Sequence, residues 1–386
     1  MLPERSKHVK AIFNGKIILQ DEILEGKVLV FDDKIRNIQE KIPKNCEQID
    51  AKGLYIAPGL IDVHIHGSFG ADVMDANLSA IKTISKGIAK NGVTSFLPTT
   101  MTMSQEHIYQ ALDHVRYWMN QSLEGAKVLG AHLEGPFINE KYKGAQSPDY
   151  MIKPDYEFIK DYLDTIKLIT YAPELDIDHQ FTKLVRDNTS ITLSIGHSDA
   201  TFKEAKAAFA CGCSHVTHLF NAMSPLNHRD PGVVGAALMT DVYCEFIADT
   251  IHSDAQIFQF VLDNKGKDRV VLISDSMRAG CMKDGNYDLG GQSVIVKNST
   301  ARLECGSLAG SILTLNQGIK HFYDHTDISL SHAIHLGTLN PAKSIGISET
   351  KGSLEIGKDA DIIILDDELN CQLTICEGRI VYNQLG

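Results

Sequence analysis

The sequence predicts an α/β protein: a (β/α)8 barrel of the TIM type, carrying a small β-sandwich made from the N- and C-terminal segments. Three observations lead there. Apolar strand-like runs alternate with amphipathic stretches through the middle of the 386-residue chain, His, Glu or Asp recurs at the carboxyl ends of those runs, and both termini carry short alternating β-type segments. The length fits one large barrel with an appendage. The expected division is residues 1–57 and 347–386 for the sandwich and 58–346 for the barrel.

At the N-terminal end, AIFNGKIILQ and GKVLVFDDKIRNIQ alternate between Gly and Asp turn signals, and KGSLEIGKDADIIILDDELNCQLTICEGRIVYN at the other end is alike. PGLIDVHIHG then opens the barrel. GVTSFLPTT, AKVLGAHLEG, IKLITYAPE, ITLSIGHSD, CSHVTHLFNAM, YCEFIADTIHS and RVVLISDS follow, with helical stretches such as DATFKEAKAAFACG between them. Strands interleaved with helices imply a parallel sheet, and eight of them are the number that closes a barrel. Within the first strand, residues two apart point to the same face, so His64 and His66 aim at one spot. They are either metal ligands or polar residues where the strand reaches water.

Composition narrows the function classes. Apolar content of 43% and 22% charged residues are ordinary for a soluble globular protein. A formal net charge of −12 argues against binding to nucleic acid or an anionic membrane, and requires a local basic site for any anionic substrate. No apolar segment approaches membrane-spanning length and MLPERSKHVK lacks the apolar core of a signal peptide, so a cytoplasmic location is expected. Eight cysteines in so long a chain form no disulfide framework. The one close pair, Cys211 and Cys213, has no second pair to complete a zinc site and is expected to be buried and reduced.

The chemistry gathers at the strand ends: His64, His66, Glu134, His197, His218, His252 and Asp275. In a barrel these ends share the face where active sites are built. A bland polar strand end explains any one of them, but not seven in register. Neutral imidazoles with a carboxylate and no paired thiolates suit Zn²⁺, Fe²⁺, Co²⁺ or Mn²⁺. Such an ion makes hydroxide available near neutral pH. Amide hydrolysis further needs a proton for the departing amine, which a carboxylate such as Asp275 can accept and return.

PGLIDVHIHG, the strand-end ligands, the last Asp and the tail KGSLEIGKDADIIIL resemble the amidohydrolase superfamily. HLEGPFIN, KGAQ, IGHSDAT, THLFNAMSPLNHRDPG, ISDSMRAG and GSLAGSILT are similar to the N-acetylglucosamine-6-phosphate deacetylase family in particular, through nearly the whole chain. The resemblance implies a divalent ion on Glu134, His197 and His218, and a second ion on His64 and His66 with Glu134 touching both. It implies Asp275 as general base. Sugar and phosphate contacts are implied at Asn221, Ala222, Arg229, Asp249, Thr250, Ile251, His252, Leu308, Ala309 and Gly310, and at Ala145 and Gln146, where single-metal members can carry a His after the KG motif. Thr250 stands where Gly is common. A Glu on the strand where other branches carry a carboxylated lysine argues against hydantoinases and dihydroorotases. The implied reaction releases acetate from N-acetylglucosamine 6-phosphate, in a homodimer whose phosphate contacts come partly from the neighbouring subunit. Alternatives are the galactosamine epimer as substrate, and a non-catalytic scaffold, against which the retained ligands and base argue. His215, His228, His332 and His335 are expected to be structural or surface residues.

Overall fold

A computed structural model describes residues 9–385; residues 1–8 and 386, parts of the expected sandwich segments, lie outside them. Eight strands follow one another around a ring: β1 (Leu60–Ile65), β2 (Val93–Pro98), β3 (Ala131–Glu134), β4 (Ile166–Tyr171), β5 (Thr192–Ile195), β6 (His215–Val216), β7 (Tyr243–Phe246) and β8 (Val270–Leu272). Those that pair as strands do so in parallel. A Thr99–His132 bridge joins β2 to β3, and an Ile65–Ser276 bridge returns the extension of β8 to β1. All six residues of β1 are buried, as in a parallel strand covered on both faces.

Each strand is followed by a helix: α1 (Leu78–Ile88), α2 (Gln105–Met119), α3 (Tyr156–Ile159), α4 (Gln180–Asn188), α5 (Phe202–Cys211), α6 (Gly232–Leu238), α7 (Gln256–Lys265) and α8 (Leu315–Asp324). The run DATFKEAKAAFACG shows how locally these are specified. Thr201 and Glu204 form a reciprocal capping box at the start of α5, Ala205 and Ala208 face inward, and Gly212 ends the helix. The eight-unit barrel expected from the sequence is therefore present.

Two further sheets come from the chain ends. Lys10–Phe13, Val28–Phe31, Ile35–Gln39 and Glu47–Asp50 form one. The other joins N-terminal strands to Ile362–Leu365, Cys371–Cys376 and Arg379–Asn383, with Tyr55–Pro58 antiparallel to Ile362–Leu365. Their shared core contains Ile12, Phe31, Ile56, Ile362, Ile364 and Leu373. Ile363 and Leu365, pointing the other way, belong to the barrel's core. This strand is apolar throughout because it sits between two cores.

Some details differ from expectation. CSHVTHLFNAM supplies only two strand residues, because His218 takes a left-handed backbone conformation at φ +28°. A three-stranded antiparallel sheet, Gly285–Leu289, Gln292–Lys297 and Thr300–Leu303, is inserted between β8 and α8 and was not anticipated. All eight cysteines are free, but Cys211 is only partly buried while Cys213 is fully so. Among the described residues no helix is long and apolar enough to cross a membrane.

Where the terminal sheet meets the barrel, the buried Lys351 ammonium lies 2.8 Å from Asp359 and 2.7 Å from Asp361. Asp361 also accepts hydrogen bonds from the backbone of Glu377 and Gly59. Burial works against the Lys351 charge, but the two carboxylates outweigh it and hold its pKa above the ordinary lysine value. Lys351→Met leaves the buried Asp361 without its cation, while the half-buried Asp359 keeps Lys34, and should cost about 3–5 kcal/mol of unfolding free energy. Urea denaturation measures this; a loss below about 1 kcal/mol would mean the ion cluster is not holding the junction.

Candidate active site and metal centre

The carboxyl ends of the barrel strands open into a cavity of about 390 Å³. Glu134 is the last residue of β3, while His197 and His218 each lie two residues beyond β5 and β6. Glu134 Oε1 is 3.2 Å from His197 Nε2 and 3.1 Å from His218 Nε2, and the two Nε2 atoms are 3.2 Å apart. Each ring is oriented from behind. His197 Nδ1 lies 2.8 Å from the carbonyl of Tyr142, and His218 Nδ1 lies 3.1 Å from that of Asn221. A carbonyl accepts only, so Nδ1 carries a proton in each ring and Nε2 is the atom turned toward the carboxylate.

A second set adjoins the first. His64 Nε2 and His66 Nε2 are 3.3 Å apart, and Asp275 Oδ1 is 3.5 Å and 3.3 Å from them. Glu134 reaches this set too, with Oε1 3.4 Å from His64 and Oε2 3.3 Å from His66. His66 is backed by the carbonyl of Thr99 and His64 by the carboxylate of Glu245.

Charge describes the same centre. Burial disfavours the charged forms of all these groups, yet Glu134 and its neighbours push His64 up to about 9 and His66 well above its usual value. Against the same burial penalty, the imidazoles drive Glu134 well below the ordinary carboxylate range and lower Asp275. The clustered carboxylates draw positive charge to one point, and the residue types fit a divalent cation, which would take the place of the imidazole protons. His132 does not join in: burial, then the charge of His64, hold its pKa well down, and both its nitrogens face Val63 and Thr170.

Backbone strain collects around the cavity. His197 (φ +48°), His218 (+28°), Ala222 (+50°), Thr250 (+64°) and Asp275 (+47°) all lie in the left-handed region. Each such residue costs on the order of 1–3 kcal/mol and persists only where surroundings dictate it. Thr250 therefore occupies a conformation natural to the Gly that is common there. Asp275 is pinned by its N–H to the carbonyl of His64 at 2.9 Å and by its own carbonyl to the N–H of Ser311 at 2.7 Å. Gly310 lies alongside at φ +58°, where a Cβ would come 3.1 Å from the Asp275 carbonyl oxygen.

Of the other residues singled out in the sequence, Ala145, Gln146, Asn221, Ala222, His252, Leu308 and Gly310 line the cavity. Asp249 does not, but accepts from the backbone of Ile251 and His252 and lies 2.7 Å from His252 Nδ1, fixing that ring. Thr250 and Ile251 form the turn between them, and Ala309 is buried behind the wall. Gln146 donates to Glu134 Oε2 at 2.7 Å and accepts from Thr102 N at 2.7 Å, so its amide holds the carboxylate shared by both ligand sets. Arg229 is exposed on a loop and does not line the cavity. Of the four histidines set aside, none lines it either. Lys141, Tyr142, Met101, Leu289 and Ser307 are lining residues that sequence reasoning missed. The lysines of FINEKYKG, directly after Glu134, were the available signal, since the net charge already required a local basic site.

Comparison with known proteins agrees with this geometry. The sequence profile of the amidohydrolase family matches residues 55–381. The chain is 42% identical to the N-acetylglucosamine-6-phosphate deacetylase of Bacillus subtilis (strain 168) over 95% of both chains. It is 32% identical to the N-acetylgalactosamine-6-phosphate deacetylase of Escherichia coli O157:H7, covering 95% of this chain and 97% of that one. The crystal structure of N-acetylglucosamine-6-phosphate deacetylase from Pasteurella multocida superposes with a TM-score of 0.91 at 31% identity, covering 96% of this chain and 99% of the other. Sequence and fold thus agree over almost the full length, and the chain belongs to the amidohydrolase family, among its N-acetylglucosamine-6-phosphate deacetylases.

Proposed function

We propose that this protein hydrolyses the acetamide of N-acetylglucosamine 6-phosphate, giving glucosamine 6-phosphate and acetate. The observation that carries the reading is Asp275: an ionised carboxylate on the cavity wall, 3.3 Å from one metal-ligand imidazole and clamped through its backbone. Glu134, His197 and His218 would hold one divalent ion, and His64 and His66 a second, with Glu134 between them. A bound ion supplies Lewis acidity for the acetamide carbonyl and lowers the pKa of water. Asp275 takes the proton of the attacking water and hands it to the sugar nitrogen, because an amine leaves where an amide anion does not. Gln146 keeps Glu134 turned toward both ligand sets. His252, held by Asp249, and the Asn221–Ala222 turn receive the sugar phosphate, with Lys141 at the rim as a cationic group.

The same reading includes a cytoplasmic homodimer. Arg229 stands outside its own cavity, and a neighbouring copy's cavity is where such an arginine would meet phosphate. Relatives named for the gluco sugar reach 42% identity, which favours that configuration, although relatives named for either sugar occur at 32%. Parallel kinetics on both sugar phosphates decides between them.

Asp275→Asn keeps the shape of the side chain but cannot shuttle a proton, so acetate release should fall about a hundredfold to ten-thousandfold while the ion on Glu134, His197 and His218 remains. Turnover close to the unsubstituted rate would remove Asp275 from the mechanism. Combining His64→Ala with His66→Ala should lower the metal content by one ion per chain, read by elemental analysis; unchanged content would show that the pair holds none. Arg229→Ala should raise KM for the phosphorylated sugar about ten- to a hundredfold, the effect of losing a charge-assisted contact, and barely affect unphosphorylated N-acetylglucosamine. Equal losses on both sugars would detach Arg229 from the phosphate.

A further inference from the structure

Beneath the ligand ring lies a buried polar layer that the reaction does not consume. Glu245, on β7, is fully buried, and among the described residues no ion pair joins it to a lysine or arginine. Its Oε2 is 2.9 Å from His64 Nδ1 and accepts from the backbone N–H of His218 at 3.2 Å. Its Oε1 has no hydrogen-bond partner and stands 3.8 Å from His215 Nδ1. A charge placed this way is costly to bury unless something nearby requires it.

The four ligand imidazoles differ in what stands behind them. His66, His197 and His218 rest on the neutral carbonyls of Thr99, Tyr142 and Asn221. His64 alone rests on a carboxylate. His132 packs edge-on against the His64 ring at 4.5 Å between centroids, and is itself held by Val63 and Thr170, so the His64 ring is fixed in direction as well.

We infer that Glu245 is the positioning residue of the strand-one metal site: acting through His64, it keeps the proton on Nδ1 and turns a strengthened Nε2 donor toward the ion shared with His66. A carboxylate behind a ligand imidazole raises its donor strength, and loss of such a partner typically weakens metal binding about ten- to a hundredfold. No carboxylate stands behind the rings of His197 and His218, and Glu245 meets His218 only through its backbone N–H, so dependence on the Glu245 charge is selective for His64. The inference rests on the two-ion reading above.

Glu245→Gln is the informative variant, since the amide oxygen can still accept from both His64 and His218 and only the charge is lost. Protein loaded with Zn²⁺ is dialysed against graded chelator, and retained zinc per chain is measured together with thermal unfolding. The unsubstituted protein should hold two ions, and Glu245→Gln should release the weaker one at a roughly ten- to hundredfold lower chelator strength, with the tighter ion unchanged. Equal retention of both ions overturns the inference alone, and parallel weakening of both overturns it by showing a general structural role. A single ion in the unsubstituted protein overturns the two-ion reading and this inference with it. Should the variant fail to fold, ¹⁵N NMR of the unsubstituted zinc-loaded protein reads the His64 ring: a proton on Nδ1 with Nε2 on the metal supports the inference, and any other arrangement overturns it.

Discussion

One buried carboxylate organises this molecule. Glu134 sits at 2% exposure, where burial alone would favour its neutral form. It stays ionised because four imidazoles from three other strand ends converge on it. That convergence requires strands to end at one height around a closed ring, and it requires the chain to leave several of those strands through left-handed turns. The barrel supplies the first condition. The second accounts for why His197, His218 and Asp275 have backbone conformations that ordinary residues avoid.

The ring of imidazoles in turn dictates what lies under it. Imidazoles bind metal well only when their other nitrogen is occupied, and the structure meets that need differently at each position. Loop carbonyls serve three of them and Glu245 the fourth. Gln146 performs the corresponding task for Glu134 itself. The site is thus two layers deep, and the lower layer decides how firmly the upper one is aimed.

Much of this was legible in the sequence because period-two alternation ties identity to direction: His64 and His66 had to face one way once their strand was recognised. Glu134 and Asp275 were legible for a related reason, each closing an apolar run. Glu245 was not, since it interrupts YCEFIAD in the middle of a strand, and no pattern distinguishes a buried partner of His64 from a solvated glutamate. Lys141 was passed over because it stands on a single 3-10 turn, Glu140–Tyr142, whose path toward the cavity is fixed by tertiary contacts. The inserted sheet at 285–303 escaped notice because its short alternating segments resemble those at the chain ends. It nonetheless bears on the site, with Gln292 donating to the carbonyl of Ala145 at the cavity wall.

The strand Ile362–Leu365, with one face in each core, bears on how the chain is assembled. Its partner Tyr55–Pro58 is made about 300 residues earlier, and the backbone oxygen of Ala89 is capped by Thr374 only when the tail arrives. The ring of eight units is therefore synthesised between the two partners, and Tyr55–Pro58 lacks this antiparallel neighbour until Ile362–Leu365 has been made. Pairing along that edge places one face of Ile362–Leu365 in each core, so this one strand joins the two bodies. A chain cut before residue 362 would keep Glu134, Asp275 and the four imidazoles but lack the clasp that holds the barrel to the terminal sheets.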